Sequence, residues 1–411
     1  MLKTLEDQIA SHYINSNDFN GVAIASIQRP LGPGLKAALA DLVDAGRLSV
    51  QSERWNNNPS VKLLRDCELE AQLKALEEPG QCALYPTEAA IRARFDLDAS
   101  YRLMPYSRRL AESEPQLTPV FFDLGVLERY REDPRYRFKF PHGRGSITLQ
   151  EEVPDQDRIF MQSFGLGFCE NGTPVVTAFL RYLNKLNSRH QLHWFSHEFH
   201  GDAKMSEVYY QTSILGDWPD SVDIFSVILA EMKILNAMSD VLERPPLFRK
   251  TFEETRPLEF SPFLRPTLHN SYAFALTLDK LMSDNLNKKF FLNEVPSVEY
   301  IETKDGRTIE KQIGTIRMLK EWLELRFKSS KPDIFKEKII DGLTKIRRMR
   351  QKPAHGFVEN DYDPDHWKTQ RELLDDALEA VHAVRMILSN GPITQRVTIP
   401  RWLHDIKISY Y

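Results

Sequence analysis

Cysteine and long apolar runs are two features that this 411-residue chain has little of. Only Cys67, Cys82 and Cys169 occur, without any C-x-x-C spacing, which argues against a zinc cluster and a disulfide framework. No apolar run of about 18 residues is present, and the N-terminal stretch MLKTLEDQIASHY has no apolar signal core. We therefore expect a cytoplasmic protein without a membrane partner.

Motifs that bind nucleotides or present a serine nucleophile are also missing. Neither G-x-x-x-x-G-K-[ST] nor G-x-G-x-x-G occurs, and there is no G-x-S-x-G. We predict no cofactor. The net charge of -4 gives no general attraction to nucleic acid, so such binding would need local basic patches. The length predicts two or three packed units in an α+β multidomain protein.

Residues 1–66 have the element order of a small recognition domain. Apolar spacing predicts helices over LKTLEDQIASHYI and LKAALADLVDAG, a strand or turn with a short helix over DFNGVAIASI, and a hairpin of RLSVQS with SVKLL. This order resembles a winged helix-turn-helix domain. The resemblance implies that the helix from about Leu35 to Ala45 faces DNA, with Arg54 and Lys62 as contacts. The alternative is a wing that serves protein contact or dimerisation.

Residues 67–222 form a mixed α/β middle region. Helices are predicted over TEAAIRARF and from Val120 to Tyr130. One hairpin is predicted from YRFKF and SITLQ, and a second from FGLGFC and TPVVTAF. Asn171-Gly172 in the second hairpin predicts a type I′ turn.

The first of these hairpins is rich in cations and aromatic rings. Arg135, Arg137 and Lys139 alternate with Tyr136 and with further aromatic residues. Cations and exposed rings together can bind single-stranded nucleic acid through phosphate contacts and base stacking. The alternative is an ordinary alternating strand, with its aromatic rings inward and its cations in water.

Histidines cluster in the stretch RHQLHWFSHEFHGD. A helix would place His193 and His197 on one face, as zinc ligands can be, which is the basis for a metal-dependent enzyme as a weaker hypothesis. The spacing is not H-E-x-x-H. The interleaved aromatic residues instead favour a partly buried strand or irregular segment with packed histidines, and we predict no metal site.

Residues 223–411 are predicted to form an antiparallel helical bundle. Five amphipathic stretches carry the pattern, namely VDIFSVILAEMKILNAMSDVL, YAFALTLDKLMSDNL, IGTIRMLKEWLELRF, IFKEKIIDGLTKIRRMR and WKTQRELLDDALEAVHAVRMILSN. KDGRT, residues 304–308, is predicted to be a turn inserted before the third. The helices at 313–327 and 367–388 carry more apolar positions than one bundle face needs, which predicts a homodimer or larger assembly.

The fourth helix ends in R-R-M-R-Q-K-P-A-H-G-F, residues 347–357. Arg350, four intervening residues and His355 match the spacing R-x(4–6)-H, and residues 262–390 resemble the HEPN superfamily of helical domains. Many HEPN domains are metal-independent ribonucleases of phage-defence and toxin–antitoxin systems. The resemblance implies RNA as substrate, a site formed by two copies, and a companion defence protein as a possible partner.

The residue types suit phosphodiester cleavage. His355 would exchange protons near neutral pH, and Arg350 would hold phosphate oxygens with two N–H groups. Further substrate contacts are predicted for Arg347, Arg348, Gln351 and Lys352. The segment from Lys328 to His355 carries nine cations against three acidic residues, which suits a polyanion. The alternative function is a non-catalytic dimeric regulator, with a winged-helix domain that binds DNA or a partner and a bundle that serves dimerisation.

Overall fold

The structure, a computed structural model, describes most of the chain and divides it into two compact units. The described residues are 2–27, 33–65, 67–77, 80–140, 143–217, 221–252, 256–257, 259–302, 305, 307–329, 331, 333–352, 359–403 and 407–410. The first unit is Met1–Asp217 and the second is Trp218–Tyr411. The predicted regions 1–66 and 67–222 thus lie almost entirely in one unit.

The first unit combines short helices with antiparallel sheets. Its helices are α1 (Leu2–Asn15), α2 (Ile24–Ile27), α3 (Pro33–Asp44), α4 (Leu69–Glu77), α5 (Glu88–Arg92), α6 (Leu97–Ser100), α7 (Pro105–Ala111), α8 (Glu128–Glu132), α9 (Leu180–Leu183), α10 (Ser188–Phe195) and α11 (Glu207–Tyr210). Its strands are β1 (Val22–Ala23), β2 (Leu48–Ser52), β3 (Cys82–Pro86), β4 (Pro119–Phe122), β5 (Tyr136–Lys139), β6 (Arg144–Leu149), β7 (Met161–Cys169), β8 (Pro174–Phe179) and β9 (Ala203–Met205).

The N-terminal sheet has the order β1-β3-β2, and both pairings are antiparallel. Leu39 of α3, Val50 of β2 and Leu84 of β3 are buried in its core. The predicted helices and the strand at RLSVQS are confirmed, but the strand at SVKLL is wrong. Residues 61–65 contain no strand, because side chains take their backbone groups: Asn56 donates to the carbonyl of Val61 at 2.6 Å, and Gln116 accepts from the N–H of Lys62 at 2.9 Å.

The second sheet has the order β4-β8-β7-β6-β5, with β9 on β7, and confirms both predicted hairpins. The helix predicted from Val120 is wrong at its start. Residues 119–122 are strand β4, and Asp123 then caps a short 3₁₀ turn by accepting from the N–H of Gly125 at 2.7 Å. The type I′ turn is also wrong, because Gly172 (φ 80°) has the positive φ and Asn171 does not.

The second unit is predominantly helical. Its helices are α12 (Ile224–Val241), α13 (Leu268–Leu281), α14 (Lys288–Phe291), α15 (Thr315–Arg326), α16 (Asp341–Gln351) and α17 (Asp365–Ser389), with a π turn at Lys336–Ile340. Its strands are β10 (Ser221–Asp223), β11 (Val298–Glu302), β12 (Thr308–Gln312) and β13 (Lys407–Ser409). All five predicted helices are confirmed. Residues 304 and 306 of the turn predicted at 304–308 lie outside the described residues, and Thr308 is the first residue of β12. β11 and β12 pair as antiparallel strands.

The long helices pack through apolar faces. α12 packs against α17, and α13 packs against α16 and α17. A buried ion pair crosses the α12–α17 interface, where Arg385 Nε donates to Glu231 Oε2 at 2.5 Å and both side chains are 1% exposed. Within the described ranges, no helix has both the length and the apolar character that crossing a bilayer requires.

Candidate active site

The amphipathic pattern of α16 positions two of the predicted arginines. Leu343 and Ile346 are buried in the bundle, which fixes the rotation of the helix. Arg347 and Arg350 are three residues apart and therefore share a neighbouring face, while Arg348 points into solvent. The face with Arg347 and Arg350 lies against the end of α13.

Two aspartates meet these arginines where α13 ends. The Asp279 side chain has no exposed surface, although it lies in the last turn of α13. Asp284 follows in the next turn, where its N–H donates to the carbonyl of Asp279 at 2.9 Å. Thr315 holds this turn by donating from Oγ1 to the carbonyl of Ser283 at 2.7 Å. Cations at this place also complement the negative end of the α13 dipole.

The four side chains form an arginine–aspartate cluster. Arg350 Nη1 donates to Asp279 Oδ2 at 2.6 Å and to Asp284 Oδ2 at 2.5 Å. Arg347 donates from Nη2 to Asp284 Oδ1 at 2.6 Å and from Nε to Asp279 Oδ1 at 3.3 Å. Hydrogen bonds with Asp279 and Asp284 raise the pKa of Arg350 above its ordinary value. The two guanidinium groups provide the partners that a buried carboxylate requires.

The two arginines use different nitrogens. Arg347 donates through Nε and Nη2, the edge of the guanidinium that grips an oxyanion with two parallel bonds. Arg350 donates through Nη1 alone, and its Nε–Nη2 edge makes no hydrogen bond to any residue that the structure describes. Its side chain is 32% exposed. Among the described residues, both donor groups of the gripping edge of Arg347 are thus used within the cluster, whereas Arg350 is anchored through Nη1 and its gripping edge is unpaired.

The other predicted site residues continue the helix end. Arg348, Gln351 and Lys352 are exposed, and none forms an ion pair within the described ranges. His355 belongs to the segment 353–358, which lies outside the described residues. Of the predicted site residues, the structure brings Arg347 and Arg350 together.

Sequence reasoning missed Asp279 and Asp284. A signal existed, because Asp279 is four residues after Ala275 on the buried face of α13, and a carboxylate on an apolar helix face needs a cationic partner. The partner could not be identified by spacing, since Arg347 and Arg350 follow Asp279 by 68 and 71 residues.

The predicted basic face is partly neutralised by α17. Lys338 Nζ lies 2.5 Å from Glu379, and Lys345 Nζ lies 2.8 Å from Asp376. Together with Arg347 and Arg350, four of the nine cations in the segment are thus paired with acidic residues of other elements. The local positive charge is lower than the linear sequence suggests.

The predicted DNA contacts of the first unit differ in access. Arg54 is exposed in the turn after β2. Lys62 is 8% exposed, and its ammonium donates to the carbonyl of Ser113 at 3.1 Å. An ammonium in this position does not reach a phosphate without disrupting the fold, so Lys62 is removed from the candidate contacts.

The basic strand β5 has its aromatic rings turned inward. Tyr136 is buried, and Phe138 packs on Phe164 with 5.9 Å between ring centroids. Arg135 pairs with Asp133 at 2.6 Å, whereas Arg137 and Lys139 are exposed. Stacking of bases needs exposed rings, so this arrangement favours the alternating-strand interpretation over a single-strand binding surface.

The first half of the histidine segment is helix α10 (Ser188–Phe195), so the predicted strand-like alternation is wrong there, whereas residues 196–202 are irregular, as the prediction also allowed. Asn187 caps α10 by accepting from the N–H of His190 at 3.0 Å, which starts a helix where alternation suggested a strand. The rings of His193 and His197 lie 4.7 Å apart, but each has a ring nitrogen within hydrogen-bond distance of a backbone carbonyl, that of Val126 (3.0 Å) and that of His193 (2.9 Å). The described residues contain no group of three or more metal-ligating side chains.

Comparison with known proteins adds no assignment to this geometry. No protein-family model, curated protein or solved structure matches the chain. The function of the arginine–aspartate cluster is therefore inferred from its own contacts and from the residues around it.

Proposed function

We propose that the protein is a metal-independent endoribonuclease of HEPN type, acting in phage defence or a toxin-like stress response. The observation that carries the proposal is the guanidinium of Arg350, held by buried Asp279 through one nitrogen while its two-pronged edge has no hydrogen-bond partner among the described residues. The R-x4-H spacing to His355 and the helical packing of α13, α16 and α17 also support it.

The chemistry follows from these groups. Attack of a ribose 2′-hydroxyl on the adjacent phosphorus forms a phosphorane with additional negative charge, which the Nε–Nη2 edge of Arg350 would stabilise. One histidine takes the proton of the 2′-hydroxyl, and another gives a proton to the leaving 5′-oxygen. Because each chain supplies one His355, the proposal requires two copies of the chain at one site.

Binding of RNA and stabilisation of the reacting phosphate fall to different residues. The arginine–aspartate cluster contains two positive and two negative side chains and so has no net charge. Arg348 and Lys352, exposed on the same helix end, carry the charge that attracts an RNA backbone. We therefore assign capture of RNA to Arg348 and Lys352 and catalysis to Arg350 and His355.

The direct test is cleavage of end-labelled RNA by purified protein in EDTA. His355→Ala and Arg350→Lys should both lose activity, the second because an ammonium keeps the charge but loses the two-pronged contact. Arg348→Lys is the matched control and should retain turnover. Lys352→Ala should raise KM more than it lowers kcat. Cleavage by His355→Ala at the wild-type rate would refute the proposed site.

The alternative, a non-catalytic dimeric regulator, is supported by one observation in the first unit. A three-stranded sheet with α1 and α3 packed around it, and with exposed Arg54 after β2, is compatible with a winged helix. Under this alternative Arg54→Glu weakens duplex DNA binding and reduces its salt dependence, and RNA stays intact. Light scattering should report a dimer for either function, and a strict monomer would remove the two-copy site.

A further inference from the structure

A cleft of about 550 Å³ lies in the second unit, away from the arginine–aspartate cluster. Its walls come from the end of α15, the residues after it, the π turn before α16 and the last turns of α17. The volume is within the range of about 300–1,000 Å³ that is usual for small-molecule sites. None of the four cluster residues lines it.

The walls of the cleft are mainly apolar. Phe327 and Ile334 line it together with Ala383 and Met386 of α17, and the buried Ile339 also contributes to the lining. Met386 is 48% exposed although it is a large apolar side chain on a well-packed helix. An aliphatic ligand would cover this surface and remove it from water.

The rim of the cleft is positively charged. Arg326, Lys328 and Lys338 line it, and no acidic residue does so among the described lining residues. Lys338 has Glu379 as a partner at 2.5 Å, outside the cleft. Lys328 is exposed and forms no ion pair with a described residue.

Arg326 adds further positive charge because its acidic partner is shared. Glu294 accepts from Arg326 Nε at 2.7 Å and also pairs with Arg244. One carboxylate therefore faces two guanidinium groups, which leaves one positive charge uncompensated. With Lys328, the surroundings of the cleft carry about two positive charges, counted from the groups named here.

The helix end at the cleft does not oppose an anion strongly. Asn390 and Gly391 line the cleft at the C-terminus of α17, where free carbonyl groups would repel negative charge. The carbonyl of Leu388 accepts from the N–H of Gly391 at 3.0 Å and from the hydroxyl of Thr394. Part of the negative helix end is thus already satisfied by internal donors.

We propose that this cleft binds a small amphipathic monoanion, an aliphatic carboxylate of medium chain length. The carboxylate lies at Lys328 and Arg326, and the alkyl chain lies along Met386 and Ala383. Charge complementarity selects the anion, and the apolar walls select the tail. The site is independent of RNA cleavage, so the failure of either proposal leaves the other intact.

Titration of the full-length protein with decanoate, followed by calorimetry and by the ¹³C-methyl signal of Met386, tests the proposal. Decanoate should bind and shift this signal, which Met386→Leu identifies. Decanol should bind about fivefold more weakly, because it lacks the charge. Lys328→Glu should weaken decanoate about fivefold, and Lys280→Glu, the same charge change on α13 outside the cleft, should not.

Filling the cleft is the complementary test. Ala383→Phe should abolish decanoate binding, with an unchanged thermal melt showing that the protein is folded. The proposal is overturned if decanoate produces neither heat nor a Met386 shift up to its solubility limit. It also fails if decanol binds the wild type as tightly as decanoate does and Lys328→Glu binds decanoate as tightly as the wild type does. It is also overturned if Ala383→Phe converts a dimer to a monomer, because a second copy then occupies the cleft.

Discussion

Replacement of Asp279 by Asn would test whether the arginine–aspartate cluster is an anchored site. The change keeps the side-chain shape but removes the buried charge that accepts from Arg350 and Arg347. Removing one partner of a fully buried ion pair costs about 3–5 kcal/mol. Here both arginines retain Asp284 and are 24% and 32% exposed, so we expect a loss of about 2 kcal/mol.

Urea unfolding monitored by tryptophan fluorescence, together with calorimetry, measures this loss of unfolding free energy. The two units need not unfold together, so the relevant quantity is the midpoint of the transition that Asp279→Asn shifts. A double-mutant cycle with Arg350→Met should give a coupling of about 1–3 kcal/mol, because the two side chains are in direct contact. Asp284→Asn is the matched control and should cost less, since its side chain is 40% exposed.

The same variant separates anchoring from simple stability. If Asp279 holds Arg350 in place, Asp279→Asn should lower kcat for RNA more than it raises KM, at a temperature where the variant is fully folded. Equal stability of Asp279→Asn and wild type, together with additive behaviour in the cycle, would refute the reasoning from the buried carboxylate.

Three further predictions concern stability. Gly165→Ala would place its Cβ 2.2 Å from the Tyr209 ring and should lower the free energy of unfolding by about 1–3 kcal/mol. Gly314→Ala, whose Cβ would have no neighbour within 4 Å, should leave the melting temperature unchanged. Equal melting temperatures of the two variants would contradict the packing at Gly165. Glu231→Gln should lower the free energy of unfolding in urea by about 3–5 kcal/mol, because it leaves the buried Arg385 without its carboxylate. Wild-type stability of this variant would show that Arg385 finds another partner. Burial lowers the pKa of His190 to about 4 from 6.5, so the unfolded state takes up the proton first as the pH falls. The free energy of unfolding should therefore fall by about 3 kcal/mol between pH 7 and 4. His190→Gln should flatten this dependence, and a pH-independent wild-type midpoint would contradict it.

Helices were predictable from the sequence where apolar periodicity is long and uninterrupted. α12 and α17 have 18 and 25 residues, and their buried positions repeat at helical spacing. Short elements were less predictable, because four or five apolar residues fit a strand and a helix equally well. Residues 119–122 show this, since they form a strand and the Asp123 cap decides where the following turn begins. At 188–195 apolar periodicity gives little signal, and the Asn187 cap decides where the helix begins.

The candidate site was predictable only in part. The basic residues at the end of α16 were visible as a local pattern, and Arg350 was singled out by its spacing to His355. Its acidic partners were not visible, since Asp279 and Asp284 are distant in sequence and reach Arg350 through the packing of α13 on α16. The solvent exposure of predicted contacts was equally hidden from the sequence. Lys62 has the residue type of a surface cation, but its ammonium donates to the carbonyl of Ser113 and is buried.

The position of β3 at the centre of the N-terminal sheet has a consequence for synthesis of the chain. β1 and β2 leave the ribosome first, but among the described strands each pairs with β3 alone, whose last residue is Pro86. The interval between Ser52 and Pro86 is about 2–7 s at translation rates of about 5–20 residues per second. During that time the growing chain exposes the unpaired edges of β1 and β2, to which a chaperone can bind.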